Sequence, residues 1–179
     1  MPTAFAVATD PMPDPRVAFE DLIRRHQTGV WRYLRALGAR PEAAEELLQE
    51  TFVVAWQKGV EDRGALATGT FLRRTARNLL RRQRRAQGRR DELLIELADA
   101  AWQRDCVADD GAAWLLSLQH CREQLPERAQ AAIDGWYGGA DRDGVAATLG
   151  LHPDGLKTLL QRARTLLREC IERHRRNDP

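Results

Sequence analysis

The sequence predicts an all-α protein built from two small helical domains. Apolar residues recur every three or four positions through most of the chain, as they do in amphipathic helices, and no stretch shows the alternation typical of a half-buried strand. The charge also changes abruptly, because residues 64–90 hold nine arginines and no acidic residue, whereas residues 91–110 hold seven acidic residues and one arginine. We interpret the acidic stretch as a linker between two domains.

The predicted organisation has four parts, which we place at residues 1–15, 16–90, 91–111 and 112–176. The first is a proline-rich tail that we expect to be flexible. The second and fourth are the helical domains. The third, the acidic linker, keeps helical spacing at its apolar residues, and we expect it to form a helix only by packing on a partner.

Three helices are predicted in the first domain. Apolar spacing predicts the first over residues 17–38, and Pro41 begins a second that Gly59 ends. A loop over 59–70 is expected to have a role beyond connection. The third helix begins at Phe71, and its outer surface is covered by arginines. That much positive charge without acidic partners favours an anion-binding face over an ordinary solvated one.

The second domain ends in a predicted helix-turn-helix. Asp141 is a good N-cap for a short helix, Gly150 can end that helix with a left-handed conformation, and Pro153 can begin the next helix. The final helix has an apolar stripe that includes Leu156 and Leu160, with basic and polar residues off the stripe. Such a helix suits the DNA major groove, although an ordinary helix pair with a solvated face would show the same local pattern.

Several functional classes are disfavoured by what the sequence contains. The three cysteines, Cys106, Cys121 and Cys170, are widely spaced and odd in number, so we expect free thiols and no zinc site. The four histidines are scattered, and we find no paired carboxylates, nucleophile set or phosphate-binding glycine loop. The expectation is a cytoplasmic protein that is not an enzyme, has no metal or other cofactor and does not insert into a membrane.

Three segments, in order, carry a resemblance to a known family. Residues 44–56 read AEELLQETFVVAW, residues 71–79 read FLRRTARNL, and residues 125–128, LPER, precede a VAxxLG pattern at 145–150. Together they resemble the sigma-70 family, specifically the extracytoplasmic-function sigma factors, which hold only the second and fourth sigma domains. The resemblance covers roughly residues 18–170.

The resemblance implies a promoter-specificity subunit that binds core RNA polymerase and promoter DNA and initiates promoter melting. It also implies an anti-sigma factor as a partner. Polymerase binding is expected at Glu46, Leu47, Gln49, Glu50 and Phe52. Contact with the minus-ten element is expected at Arg74, Arg77, Asn78, Arg81, Arg82 and Arg85, and contact with the minus-thirty-five element at Pro153, Asp154, Lys157, Thr158, Gln161, Arg162 and Arg164.

This chain departs from the family pattern at a few positions. Glu46 and Phe71 replace an aspartate and a tryptophan, which keeps the charge and the aromatic ring. His152 stands where a serine or threonine N-cap is expected, and Leu159 stands where an arginine is common. The sequence therefore predicts where the last helix lies more clearly than which promoter sequence it would recognise.

Two alternatives belong to other functional classes. A stand-alone helix-turn-helix regulator would use the last helix alone, but it leaves the acidic face of the second helix and the arginine-covered third helix unexplained. The charge at Glu46 and Glu50 could instead serve only the dipole of the second helix. A nucleic-acid enzyme would need a catalytic cluster that this sequence lacks.

Overall fold

The computed structural model describes residues 14–85 and 89–177, and these residues form helices without any strand. The predicted all-α class is therefore confirmed. Within the described ranges the helices are α1 (Pro15–Ala36), α2 (Pro41–Gln57), α3 (Ala65–Arg84), α4 (Arg89–Asp105), α5 (Ala112–Glu123), α6 (Glu127–Tyr137), α7 (Arg142–Thr148) and α8 (Pro153–Asn177).

The described helices bury two apolar cores. In the first unit, α1 to α4, Leu34, Leu72 and Leu80 are fully buried. In the second unit, α5 to α8, the core is built around Leu156 and Ala132. Trp114 is partly buried and packs against both cores.

The ends of several helices follow the chemistry that the sequence predicts. The side chain of Asp141 accepts a hydrogen bond of 2.8 Å from the backbone N–H of Gly144, which caps α7. Gly150 has φ +60°, so it makes the left-handed turn between α7 and α8, and Pro153 is the first residue of α8. The predicted tail lies almost wholly outside the described residues, except that Pro15 already belongs to α1, capped by Asp14.

The loop before α3 is shorter than the sequence suggested, because α3 begins at Ala65 and not at Phe71. Asp62 organises this loop: its carboxylate accepts a 3.0 Å hydrogen bond from the N–H of Gly64 and lies 3.3 Å from Nε2 of the buried His26. Partial burial would raise the pKa of Asp62, but the Gly64 and His26 contacts outweigh it and lower that pKa. The glycines and threonines of 64–70 suggested a loop, yet they are tolerated in the first turns of a helix that packs well.

The acidic linker packs on its own first unit, which corrects the expectation that it would need a partner. Ile95 and Trp102 of α4 are 1% and 5% exposed, and the Trp102 ring meets the Tyr33 ring edge-on with centroids 5.4 Å apart. The leucines that showed helical spacing, Leu93, Leu94 and Leu97, are exposed instead. The inner face of α4 is therefore defined by Ile95, Asp99 and Trp102, a set that mixes a charge with the apolar residues.

The cysteines also differ from the prediction of free thiols. Cys121 on α5 and Cys170 on α8 form a disulfide, with their Cα atoms 5.8 Å apart. Cys106 is free and buried, and burial raises the pKa of its thiol to about 11. The two bonded cysteines are 49 residues apart in sequence, so spacing alone gave no sign that α5 and α8 would bring them together.

Candidate nucleic-acid interface

Most arginines of α3, with Asn78 and the C-cap residue Arg85, form two rows, because residues three or four apart lie on the same face of a helix. We call Arg73, Arg77 and Arg81 the paired row, since each contacts a carboxylate. We call Arg74, Asn78, Arg82 and Arg85 the free row, since all four side chains are exposed. The predicted minus-ten residues are thus divided between two faces with different surroundings.

The carboxylates that meet the paired row all come from α4 and the turn after it. Nη1 of Arg73, which is 3% exposed, lies 2.8 Å from Oδ1 of Asp110. Nη1 of Arg77 donates to Oδ2 of Asp99.

At the other end of the paired row, Arg81 meets two carboxylates at once. Its Nη2 lies 2.5 Å from Oε1 of Glu92 and 3.2 Å from Oε1 of Glu96. The hydrogen bond with Glu92 raises the pKa of Arg81, so this guanidinium stays charged.

Asp99 is the centre of a buried polar group beneath α3. It is 8% exposed and accepts a 2.5 Å hydrogen bond from the hydroxyl of Tyr33 as well as the hydrogen bond from Arg77. Burial, together with the Asp99 carboxylate, raises the pKa of Tyr33, which therefore stays a hydrogen-bond donor. Arg77 is thus held against Asp99, although the sequence favoured it for contact with bases.

The free row has a different environment. Arg74, Asn78, Arg82 and Arg85 are exposed, and none of them hydrogen bonds to a side chain within residues 14–85 or 92–176. Such a row presents guanidinium groups that can meet successive phosphates of a nucleic acid strand. Spacing alone gave no signal for this division, because Arg74, Asn78 and Arg82 are spaced by four just as Arg73, Arg77 and Arg81 are.

The outer face of α2 carries the residues that the resemblance assigns to polymerase. Glu46, Gln49 and Glu50 are exposed, whereas Leu47 and Phe52 are 4% and 7% exposed and belong to the core. Leu47 and Phe52 therefore hold α2 in place and do not offer surface to a partner.

Two apolar residues extend this face, and sequence reasoning missed them. Val53 is 53% exposed, and Trp56 is 49% exposed and stacks edge-on against Phe19 with ring centroids 4.9 Å apart. A face with carboxylates beside an exposed valine and tryptophan has the composition of a protein-binding surface.

Helix α8 presents its polar side to solvent, as predicted. Leu156 and Ala163 are 0% and 1% exposed, which fixes the rotation of α8 about its axis. The side chains of Lys157, Gln161 and Arg162 point outward on the opposite side, where they could reach base edges or phosphates.

Other predicted residues of α8 have partners within the second unit. Asp154 lies 3.3 Å from Nη2 of Arg142, and Thr158 donates to the Asp154 carbonyl at 3.1 Å. Nε of Arg164 donates to the hydroxyl of Tyr137 at 3.1 Å. Nδ1 of His152 lies 3.5 Å from the N–H of Asp154, a long contact for an N-cap.

Comparison with known families identifies the first unit. Residues 22–90 match the family model for sigma-70 region 2, and this segment includes most of α1, all of α2 and all of α3. Residues 22–90 therefore form a sigma-70 region 2 segment.

Two further comparisons add no evidence for the family. A chain in the solved structure titled "1.8 A structure of RsbN-BldN complex" is 23% identical, and the alignment covers 86% of this chain and 91% of that chain, with a TM-score of 0.31. A TM-score of this size does not establish a common overall arrangement. No curated protein matches the chain.

Residues 14–85 and 89–177 contain neither a metal-binding cluster nor a membrane-spanning helix. No group of three or more His, Cys, Asp or Glu side chains is placed to hold a metal ion. No helix in the same ranges is both long enough and apolar enough to cross a membrane.

Proposed function

We propose that this chain is an extracytoplasmic-function sigma factor that directs core RNA polymerase to specific promoters and initiates their melting. The observation that carries the proposal is the free row, an exposed line of cationic and amide side chains on α3 within the sigma-70 region 2 segment. The proposed role is binding without catalysis or cofactor, in the cytoplasm, with the domains at 16–90 and 112–176. The family resemblance supports an anti-sigma factor as a further partner.

Two faces would contact promoter DNA in this proposal. The free row would follow the backbone of the minus-ten region, where neutralised phosphates supply most of the affinity and melted bases can be bound. The outward residues of α8, Lys157, Gln161 and Arg162, would contact the minus-thirty-five element in the major groove.

Polymerase would bind the outer face of α2. Glu46 and Glu50 would pair with basic side chains of the polymerase, and Val53 and Trp56 would supply apolar contact beside them. A row of carboxylates would repel DNA, so this face suits a protein partner with positive charge.

Charge reversal on α2 tests polymerase binding. We expect Glu46→Lys with Glu50→Lys to weaken association with purified core polymerase by about a hundredfold, since two carboxylates would be replaced by repelling charges. Affinity is measured by the fluorescence of a labelled chain. Reversal of two exposed carboxylates elsewhere, Glu20→Lys with Glu123→Lys, is the matched control and should leave binding unchanged.

A contrary result is equally defined. If the unaltered chain does not associate with core polymerase and instead binds a duplex operator tightly by itself, the protein is a stand-alone helix-turn-helix regulator. If it associates and the α2 reversal has no more effect than the control, the polymerase surface lies elsewhere.

A further inference from the structure

The acidic residues of α4 meet the paired row in reverse order. Arg81, at the end of α3, pairs with residues near the start of α4, and Arg77 pairs with Asp99 farther along. Arg73 pairs with Asp110, beyond the end of α4. The two helices therefore run antiparallel, with carboxylates placed along one arginine row.

Two of these contacts are structural. Arg73 is buried, and its partner Asp110 packs so tightly against α1 that a Cβ at Gly29 would lie 2.6 Å from the Asp110 Cγ. Asp99 is buried and also binds the hydroxyl of Tyr33. Breaking either contact would leave a buried charge without its partner, so these contacts hold α4 in place.

The third contact has the opposite character. The side chain of Arg81 is 32% exposed, and those of Glu92 and Glu96 are each 56% exposed. An ion pair this accessible is weak and screened by salt, and it can exchange for a pair with another anion without moving the buried residues of α4. Arg81 lies three residues after Asn78 and four before Arg85, so on the helix surface it borders the free row.

We propose that Glu92 and Glu96 are an internal competitor of nucleic acid for Arg81, so that α4 lowers the affinity of α3 for DNA. The proposal rests on the proposed function only in taking α3 as a DNA-binding helix. A phosphate that replaces the two carboxylates would add Arg81 to the free row. The anchoring of α4 through Asp99 and Trp102 holds the competitor beside Arg81.

The test uses the full chain and a fluorescein-labelled single-stranded DNA of mixed sequence, with binding followed by anisotropy over a range of salt concentrations. We expect Glu92→Gln with Glu96→Gln to bind about fivefold more tightly at low salt, and the slope of log K against log salt to steepen by about 0.7, the value of one additional phosphate contact on a single strand. Glu20→Gln with Glu123→Gln changes the net charge equally at exposed positions away from the paired row and should give a much smaller increase.

A third variant tests whether the gain in DNA affinity depends on Arg81. Adding Arg81→Gln to the Glu92→Gln, Glu96→Gln chain should return both affinity and slope to those of the unaltered protein. Unfolding by heat, followed by circular dichroism, checks that each variant folds.

Each possible outcome supports or overturns the competitor role of Glu92 and Glu96. If the Glu92→Gln, Glu96→Gln chain behaves as its control does, or keeps its gain after Arg81→Gln, the competitor role is overturned while α3 remains a DNA-binding helix. If the unaltered chain and every variant show no salt-dependent binding, the DNA-binding role of α3 fails, and the competitor role fails with it.

Discussion

At the scale of single residues, neighbouring arginines of one helix have different tasks. Arg77 is fixed by the buried Asp99, which in turn binds Tyr33, whereas Arg82 extends into solvent. The contacts of Arg77 therefore stabilise the folded state. The side chain of Arg82 contributes little to folding, so its charge remains available to a ligand.

Alanine substitutions separate the two tasks. We expect Arg77→Ala to lower the free energy of unfolding by about 2 kcal/mol, because Asp99 would be left with one fewer donor in a largely buried site. Arg82→Ala should change that free energy by less than about 0.5 kcal/mol but weaken DNA binding. Urea unfolding measures the first quantity. Equal stability of the two variants would show that the pair between Arg77 and Asp99 does not hold α4.

The exposure of individual side chains could be predicted from the sequence only where the apolar periodicity of a helix determines it. The exposure of Arg74, Asn78 and Arg82 follows from the apolar stripe of α3. The pairing of Arg77 with Asp99 does not, because it depends on how α4 packs across the helix, a tertiary contact between residues 22 positions apart.

At the scale of elements, helices with strong apolar periodicity and clear end signals were predicted well, as α1, α2 and α7 illustrate. The start of α3 was wrong because glycine and threonine also occur in loops, and tertiary packing overrides such weak local preferences. The linker was judged by its charge, so its packing was missed. Glu92, Glu96 and Asp99 of α4 pair with arginines of α3, a compensation that composition alone does not show.

The disulfide between α5 and α8 gives the second unit a constraint that the first unit lacks in the described residues. Closing a loop of this length stabilises a fold by about 2–4 kcal/mol. We expect a reductant to lower the temperature of the second unit's unfolding, measured by calorimetry. Cys106→Ser, the matched control, should leave this sensitivity to reductant intact. Equal unfolding temperatures with and without reductant would contradict the bond.

At the scale of the whole molecule, the acidic and basic surfaces belong to separate faces. The carboxylates of α2 lie exposed on one helix, the free row lies on α3, and the outward residues of α8 form a third face on the second unit. The predicted resemblance to the sigma-70 family is confirmed for residues 22–90, which match sigma-70 region 2. The boundaries of the two domains and the individual contacts with promoter DNA stay predictions.

Transcription in vitro from a random promoter library with core polymerase tests whether the free row serves promoter recognition by a sigma factor. The unaltered chain should produce transcripts that core polymerase alone does not, from a limited set of promoters. Replacing Arg74, Arg82 and Arg85 by glutamine should reduce these transcripts at least about tenfold while the variant still binds core polymerase, because phosphate contacts are lost.

The control replaces three exposed arginines on other faces, Arg16, Arg24 and Arg173, by glutamine and should keep full activity. The account is contradicted if the unaltered chain gives no transcripts beyond those of core polymerase alone. It is contradicted equally if the free-row variant transcribes as well as this control.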